Sequence, residues 1–196
     1  VINHTADVIK YKTDYYSYET LFEKPYKDCS GRAFDLAKYV GKANFPKLCA
    51  DKSFPLTPVV SSKDKNIKAP AFLNDITNYH NRGNSTFSGE SSTMGDFSGL
   101  DDVFTEKPEV VAGWTKNWQN WITKFDIDGY RIDTARHVNP EFWQVFIPAV
   151  LKTAKAAGKS SFPIFGEIYD SDPNTTAKYL TDYKFPGVLD FAFQAA

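Results

Sequence analysis

The run Phe125-Asp126-Ile127-Asp128-Gly129-Tyr130-Arg131-Ile132-Asp133-Thr134-Ala135-Arg136-His137-Val138 concentrates groups able to do nucleophilic and acid–base chemistry. Tyr130 and Ile132 alternate with Arg131 and Asp133, so a short strand here has one apolar face and one face of opposite charges. Gly129 lets the backbone enter that strand with no side chain to place. Arg131, two residues away on the same face, holds Asp133 ionised, the form a nucleophile requires. A second carboxylate, Glu167, ends the apolar run Phe162-Pro163-Ile164-Phe165-Gly166. Neighbouring strands lie about 4.8 Å apart, so carboxylates on adjacent strand ends reach the roughly 5–5.5 Å separation of a nucleophile and a general acid cleaving a glycosidic bond with retention. Glu167 has no basic residue near it in sequence and follows an apolar strand, which suits it to the protonated role. The competing reading of Arg131 and Asp133 is a buried structural ion pair.

Elements able to position these groups surround them. Pro108 fits a first helical turn, and Val111, Trp114, Trp118, Trp121, Ile122 and Phe125 then recur at three- and four-residue steps, the stripe of a helix facing a core. Asn139 and Pro140 predict a capped helix start, Phe142, Phe146, Ala149 and Val150 its buried face, Pro148 a kink, and Gly158 its end. A short helix is expected over 176–183 and a further strand over 187–191. Helix–strand–helix order predicts a parallel sheet covered on both faces, and charged residues at a strand's C-terminal end are where barrel enzymes place chemistry.

Residues 5–104 show no long helical period and are rich in Tyr, Lys, Asp, Ser, Gly and Pro. Such a length is not a plain loop and predicts a small irregular inserted domain. Cys29 and Cys49, the only cysteines, both lie here. A disulfide between them is expected, with an oxidising compartment. Residues 81–92 read as a polar, glycine-rich surface loop without function. Asn3, Asn84 and Asn174 each open a glycosylation sequon. A net charge of −1 and a pI near 6.3 give no sign of nucleic acid or an anionic membrane as partner, and no apolar run is long enough to span a bilayer.

Asp128 to Val138 resembles the fourth-strand motif of the alpha-amylase family of glycoside hydrolases. Gly166-Glu167-Ile168 resembles its fifth-strand motif, Val1-Ile2-Asn3-His4 the end of its third-strand motif, and Gly99-Leu100-Asp101-Asp102-Val103 the motif closing its inserted domain B. The four stand in the family's order. The resemblance implies an α/β fold, the central part of a (β/α)8 TIM barrel. Residues 1–4 would end strand 3, 5–104 form domain B, and 105–196 run from helix 3 to about strand 6. A whole barrel takes about 250 residues. We therefore read these 196 as the middle of a longer protein and expect them, alone, to be inactive.

The implied activity is retaining hydrolysis of α-1,4-glucosidic bonds in starch-like α-glucans, with Asp133 as nucleophile and Glu167 as acid/base. Arg131, His4, Arg136 and His137 would bind substrate, although lysine is common in the family where Arg136 stands. Ca2+ would be held by Asn3, Asp102 and the backbone oxygen of His137. A secreted monomer is expected. The alternatives are a transglycosylase, an α-1,6 debranching enzyme, and a non-catalytic ancillary subunit. The last is opposed by the presence of both Asp133 and Glu167.

Overall fold

A computed structural model describes residues 1–13 and 16–195. The chain divides into two compact units, Asn3–Val110 and Val1–Ile2 with Val111–Ala196.

In the first unit, regular structure comes in short pieces. β1 (His4–Thr5) pairs antiparallel with β4 (Asp101–Asp102), and β2 (Lys10–Tyr11) with β3 (Pro58–Val59). α1 is a single turn, Ser91–Met94. The core is largely aromatic: Tyr26, Leu36, Leu48, Phe54 and Phe104 are buried together, with the Tyr26 and Phe104 rings 4.8 Å apart. Cys29 and Cys49 form the expected disulfide. A region with so little sheet gains most from such a crosslink, about 3 kcal/mol for a loop of this length.

The reading of residues 81–92 as a surface loop holds for 84–90 but needs correction at both ends. Asn81, Arg82, Ser91 and Ser92 are buried. Arg82 donates to the carbonyls of Glu19 and Lys24 and lies 4.6 Å from the Tyr26 ring centre. The guanidinium enters because carbonyl oxygens and an aromatic face take over from water.

The second unit follows the expected alternation. α2 (Pro108–Phe125), β5 (Tyr130–Ile132), α3 (Pro140–Ala156), β6 (Ile164–Gly166), α4 (Pro173–Thr181), β7 (Gly187–Val188) and α5 (Phe191–Ala195) succeed one another, and the strands form a parallel sheet in the order β5-β6-β7. Val111, Trp114, Trp118 and Ile122 of α2 are buried, and Trp118 packs on Tyr130 of β5 at 4.4 Å. Trp121 and Phe125 instead stack on each other at 4.7 Å and stay exposed near the end of the helix.

α3 runs unbroken through Pro148. Asn139 occupies its N-cap position, but the side chain bonds Glu141 instead of capping. α4 starts three residues earlier than expected, because Asp172 accepts from the Asn174 amide and Pro173 fits the first turn. The strand expected to reach residue 191 stops at 188, and Asp190 accepts from the Phe193 amide to start α5.

Candidate active site

Asp133 follows β5 and Glu167 follows β6, and the register Ile132↔Gly166 sets the two carboxylates side by side at the strands' C-terminal ends. Backbone placement reinforces this, since the Glu167 amide donates to the Ile132 carbonyl at 2.8 Å. Close approach depends on Gly166: a Cβ there would lie 2.8 Å from the Phe185 ring and 3.3 Å from the Ala135 Cβ.

Arg131 grips both acids. Its Nη1 donates to Asp133 Oδ1 at 2.6 Å, and its Nη2 lies 3.2 Å from Glu167 Oε1. The sequence showed no basic neighbour for Glu167; the parallel register supplies one from the next strand. Thr134 adopts a left-handed conformation, φ 52°, and its amide donates to Glu167 Oε2 at 3.1 Å. A β-branched residue there is strained, and such strain persists where the surroundings over-determine it.

Partial burial alone would raise the Asp133 carboxyl, but hydrogen bonds from Arg131 and Glu167 and the guanidinium charge together hold it below the ordinary value. Asp133 therefore stays ionised to lower pH than a free aspartate. In the intact protein the acid limb set by this carboxyl is therefore expected to lie lower than that of an ordinary aspartate. Arg131→Gln should move that limb upward, and an unmoved limb would show that Arg131 does not set it.

Arg136 and His137 follow in a short 3-10 turn, Ala135–His137. The Arg136 Nη1 donates to the Tyr169 carbonyl at 2.5 Å, and its Nη2 lies 3.4 Å from Asp170 Oδ2. A cavity of about 270 Å3 opens here, bordered by Arg136, Tyr169, Asp170 and Phe191. A larger cavity, about 810 Å3, lies beside Cys29 in the other unit and is bordered by neither Asp133 nor Glu167. Paired acids with a shared arginine identify chemistry better than volume does.

The remaining expected residues lie in the first unit. The His4 ring stacks on Phe97 at 4.8 Å. Asn3 and Asp102 come from paired segments: His4 stands opposite Asp102, and the Asn3 carbonyl accepts from the Val103 amide. Asp102 Oδ2 lies 2.5 Å from His80 Nδ1, and His80 Nε2 lies 2.8 Å from Glu106 Oε2. All three side chains are buried. Burial alone would lower the imidazole pKa, but the Glu106 and Asp102 charges hold it up at about 9. No sequence signal marked this bridge, whose members stand 22 and 26 residues apart.

Among the described residues no group of three or more His, Cys, Asp or Glu side chains is set to hold a metal. The expected calcium site draws instead on an amide, one carboxylate and a backbone oxygen, hard donors of the type Ca2+ takes. Asp102 Oδ1 fits that role, being buried without a hydrogen-bond partner. His137, the third expected donor, belongs to the second unit.

Parallel strands alternating with helices, and two acids at adjacent strand ends, define part of a (β/α)8 barrel of the glycoside hydrolase type. The whole chain, residues 1–196, matches the family model "Alpha amylase, catalytic domain". It belongs to that family. It is 47% identical over 197 residues to an alpha-amylase of Streptomyces lividans, a match covering 100% of this chain and 21% of that protein. Alpha-amylase 1 of Lipomyces kononenkoae is 34% identical over 117 residues, 59% of this chain and 16% of that one. Among solved structures, the acarbose complex of the Geobacillus thermoleovorans alpha-amylase superposes with a TM-score of 0.55 at 32% identity, covering 63% of this chain and 28% of that chain. The alpha-amylase of Malbranchea cinnamomea gives 0.53 at 28% identity, covering 67% and 26%. The chain thus spans about a fifth of the length of the curated relatives it matches.

Proposed function

We propose that the protein containing this chain hydrolyses α-1,4-glucosidic bonds of starch-like glucans with retention, by double displacement. The observation that carries this reading is the Asp133–Arg131–Glu167 constellation. Asp133, kept ionised, attacks the anomeric carbon while Glu167 protonates the leaving oxygen. A covalent glycosyl-enzyme forms, and Glu167 then takes a proton from the water that cleaves it. Arg131 orients both acids. His4 and His137 contact the sugar. Arg136 shapes the leaving-group side through the turn it holds at Tyr169 and Asp170. Proton NMR of the first product formed from maltoheptaose tests the stereochemistry: α-anomer is expected, and initial β-anomer would overturn the double displacement.

Asn3, Asp102 and the carbonyl of His137 are proposed to hold Ca2+, which supplies charge neutralisation and cross-bracing when bound. Asp102 Oδ1 supports this, because it is buried without a hydrogen-bond partner and burial pushes its carboxyl up to about 8, a penalty on the charged form that a bound cation would offset. Free ligand at a hundred times its dissociation constant adds about 2.7 kcal/mol to the stability of a protein that binds it only when folded. Excess chelator should lower the melting temperature of the intact protein accordingly, with restoration by added Ca2+. Melting that ignores both additions, with no metal co-purifying, would remove the site.

The disulfide supports secretion into an oxidising medium. Among the described residues no helix is long and apolar enough to cross a membrane. We take the protein to act as a monomer, which sedimentation of the intact protein tests.

A further inference from the structure

The cavity of about 810 Å3 beside Cys29 takes no part in the proposed cleavage. Its walls come from residues 28–47, all within one compact unit. The volume falls in the range of clefts that bury small ligands, roughly 300–1,000 Å3.

Covalent and backbone bonds hold this stretch in shape. Cys29 and Cys49 close a disulfide around it, and the Cys29 amide donates to the Lys47 carbonyl at 3.1 Å. The Phe34 amide donates to the carbonyl of Tyr26, a member of the buried aromatic core, also at 3.1 Å. Asp28 Oδ1 accepts from the Ser30 and Arg32 amides at 2.9 and 3.1 Å. A hollow fixed in this way loses little further freedom when a ligand enters it.

The lining chemistry narrows the ligand. Two partly buried rings, Phe34 and Tyr39, meet edge to face at 5.6 Å, and Phe45 braces Phe34 at 6.0 Å. The charges beside them come in opposite pairs. Arg32 Nε and Nη2 both reach Asp28 Oδ2 at 3.3 Å, and Lys38 Nζ lies 3.7 Å from Asp35 Oδ2. Among the described residues, Lys47 is the one lining charge outside these pairs. Pairing weakens the field that would draw an ion, yet the groups keep spare donors and acceptors. Asn44, which is exposed, adds an amide that both donates and accepts. Aromatic rings beside dense, neutralised hydrogen-bonding groups suit a ligand with apolar C–H faces and many hydroxyls, a sugar chain.

We propose that this cavity is a non-catalytic binding site for a segment of α-glucan. Phe34 and Tyr39 pack on sugar rings, and Arg32, Asp35 and Asn44 bond their hydroxyls. The choice of an α-glucan rests on the reading of the protein as an α-glucan hydrolase. The site holds polymer independently of the bond being cut.

The test is hydrogen exchange, read by mass spectrometry, on the intact protein carrying Glu167→Gln, so that maltoheptaose is bound but not consumed. Amides within 28–47 should exchange more slowly as maltoheptaose is added, because a ligand suppresses opening of the segment it binds. Peptides covering 130–137 report the catalytic acids in the same titration. Tyr39→Ala should raise the midpoint at 28–47 roughly tenfold, the worth of one good aromatic contact. The midpoint at 130–137 should stay within about twofold. Asn44→Ala, a change at an exposed residue, should raise the 28–47 midpoint roughly threefold. Tyr39→Trp should hold it near its starting value. Protection at 130–137 with none at 28–47 would overturn the proposal and leave the hydrolase reading intact. So would a midpoint at 28–47 that neither Tyr39→Ala nor Asn44→Ala moves. Protection of 28–47 by inorganic phosphate alone would reassign the cavity to an anion and likewise sink the proposal. Protection at 28–47 that both variants weaken, with none at 130–137, would keep the site and remove the hydrolase reading. Silence at both segments would remove both.

Discussion

Asp133→Asn is expected to stop glycosyl-enzyme formation on every substrate, while Glu167→Gln still forms it from an activated glycosyl fluoride. The two acids sit under one arginine but are proposed to do different work. Without Asp133 no oxygen remains to make the covalent bond, so fluoride as leaving group does not help. Without the Glu167 proton, only leaving groups that need protonation suffer, by roughly 10²–10⁴-fold, the usual worth of general acid help. Burst formation of the labelled enzyme, read by mass spectrometry of the intact protein, separates the two. Both variants should remain folded, because both side chains are partly exposed at strand ends. Labelling of Asp133→Asn with none of Glu167→Gln would reverse the roles. Equal and modest losses would return Arg131 and Asp133 to a structural ion pair.

His80→Ala should cost more stability than any surface substitution. Asp102 and Glu106 flank the ring, and all three side chains are buried. Removing the cation leaves two carboxylates facing a cavity, and breaking a buried pair in this way costs about 3–5 kcal/mol. Glu106→Gln, which keeps a hydrogen-bonding group against Nε2, should cost less. Urea unfolding of the intact protein at saturating calcium gives the comparison. A loss under about 1 kcal/mol for His80→Ala, the size of an ordinary point substitution, would mean that the bridge is not a keystone of its unit.

How much of this was legible beforehand differs between the two units for a physical reason. β5, α3 and β6 follow from local periodicity, and residues 130–133 and 162–167 carry both the strands and the acids. Sequence order alone placed Asp133 and Glu167 on neighbouring strands, because parallel strands joined by a helix are usually adjacent. Arg131's second partner was not legible, since it depends on register across two strands. In the other unit no period exists to read. Arg82 looked solvated, yet it is buried by carbonyls of Glu19 and Lys24 more than fifty residues away. His80, Asp102 and Glu106 carried no local signal either. The polar, serine-rich run at 81–92 looked solvated throughout because composition does not reveal that Asn81, Arg82, Ser91 and Ser92 are buried.

Gly166 has a consequence for laboratory evolution. Its hydrogen stands where any larger group would press on Phe185 and Ala135. Ala135 adjoins Thr134, and Gly166 adjoins Glu167, so a push there reaches both ends of the Thr134–Glu167 hydrogen bond. On the proposed function, libraries that vary position 166 should yield proteins that still bind glucan but turn it over poorly, because the change acts through Thr134 and Glu167.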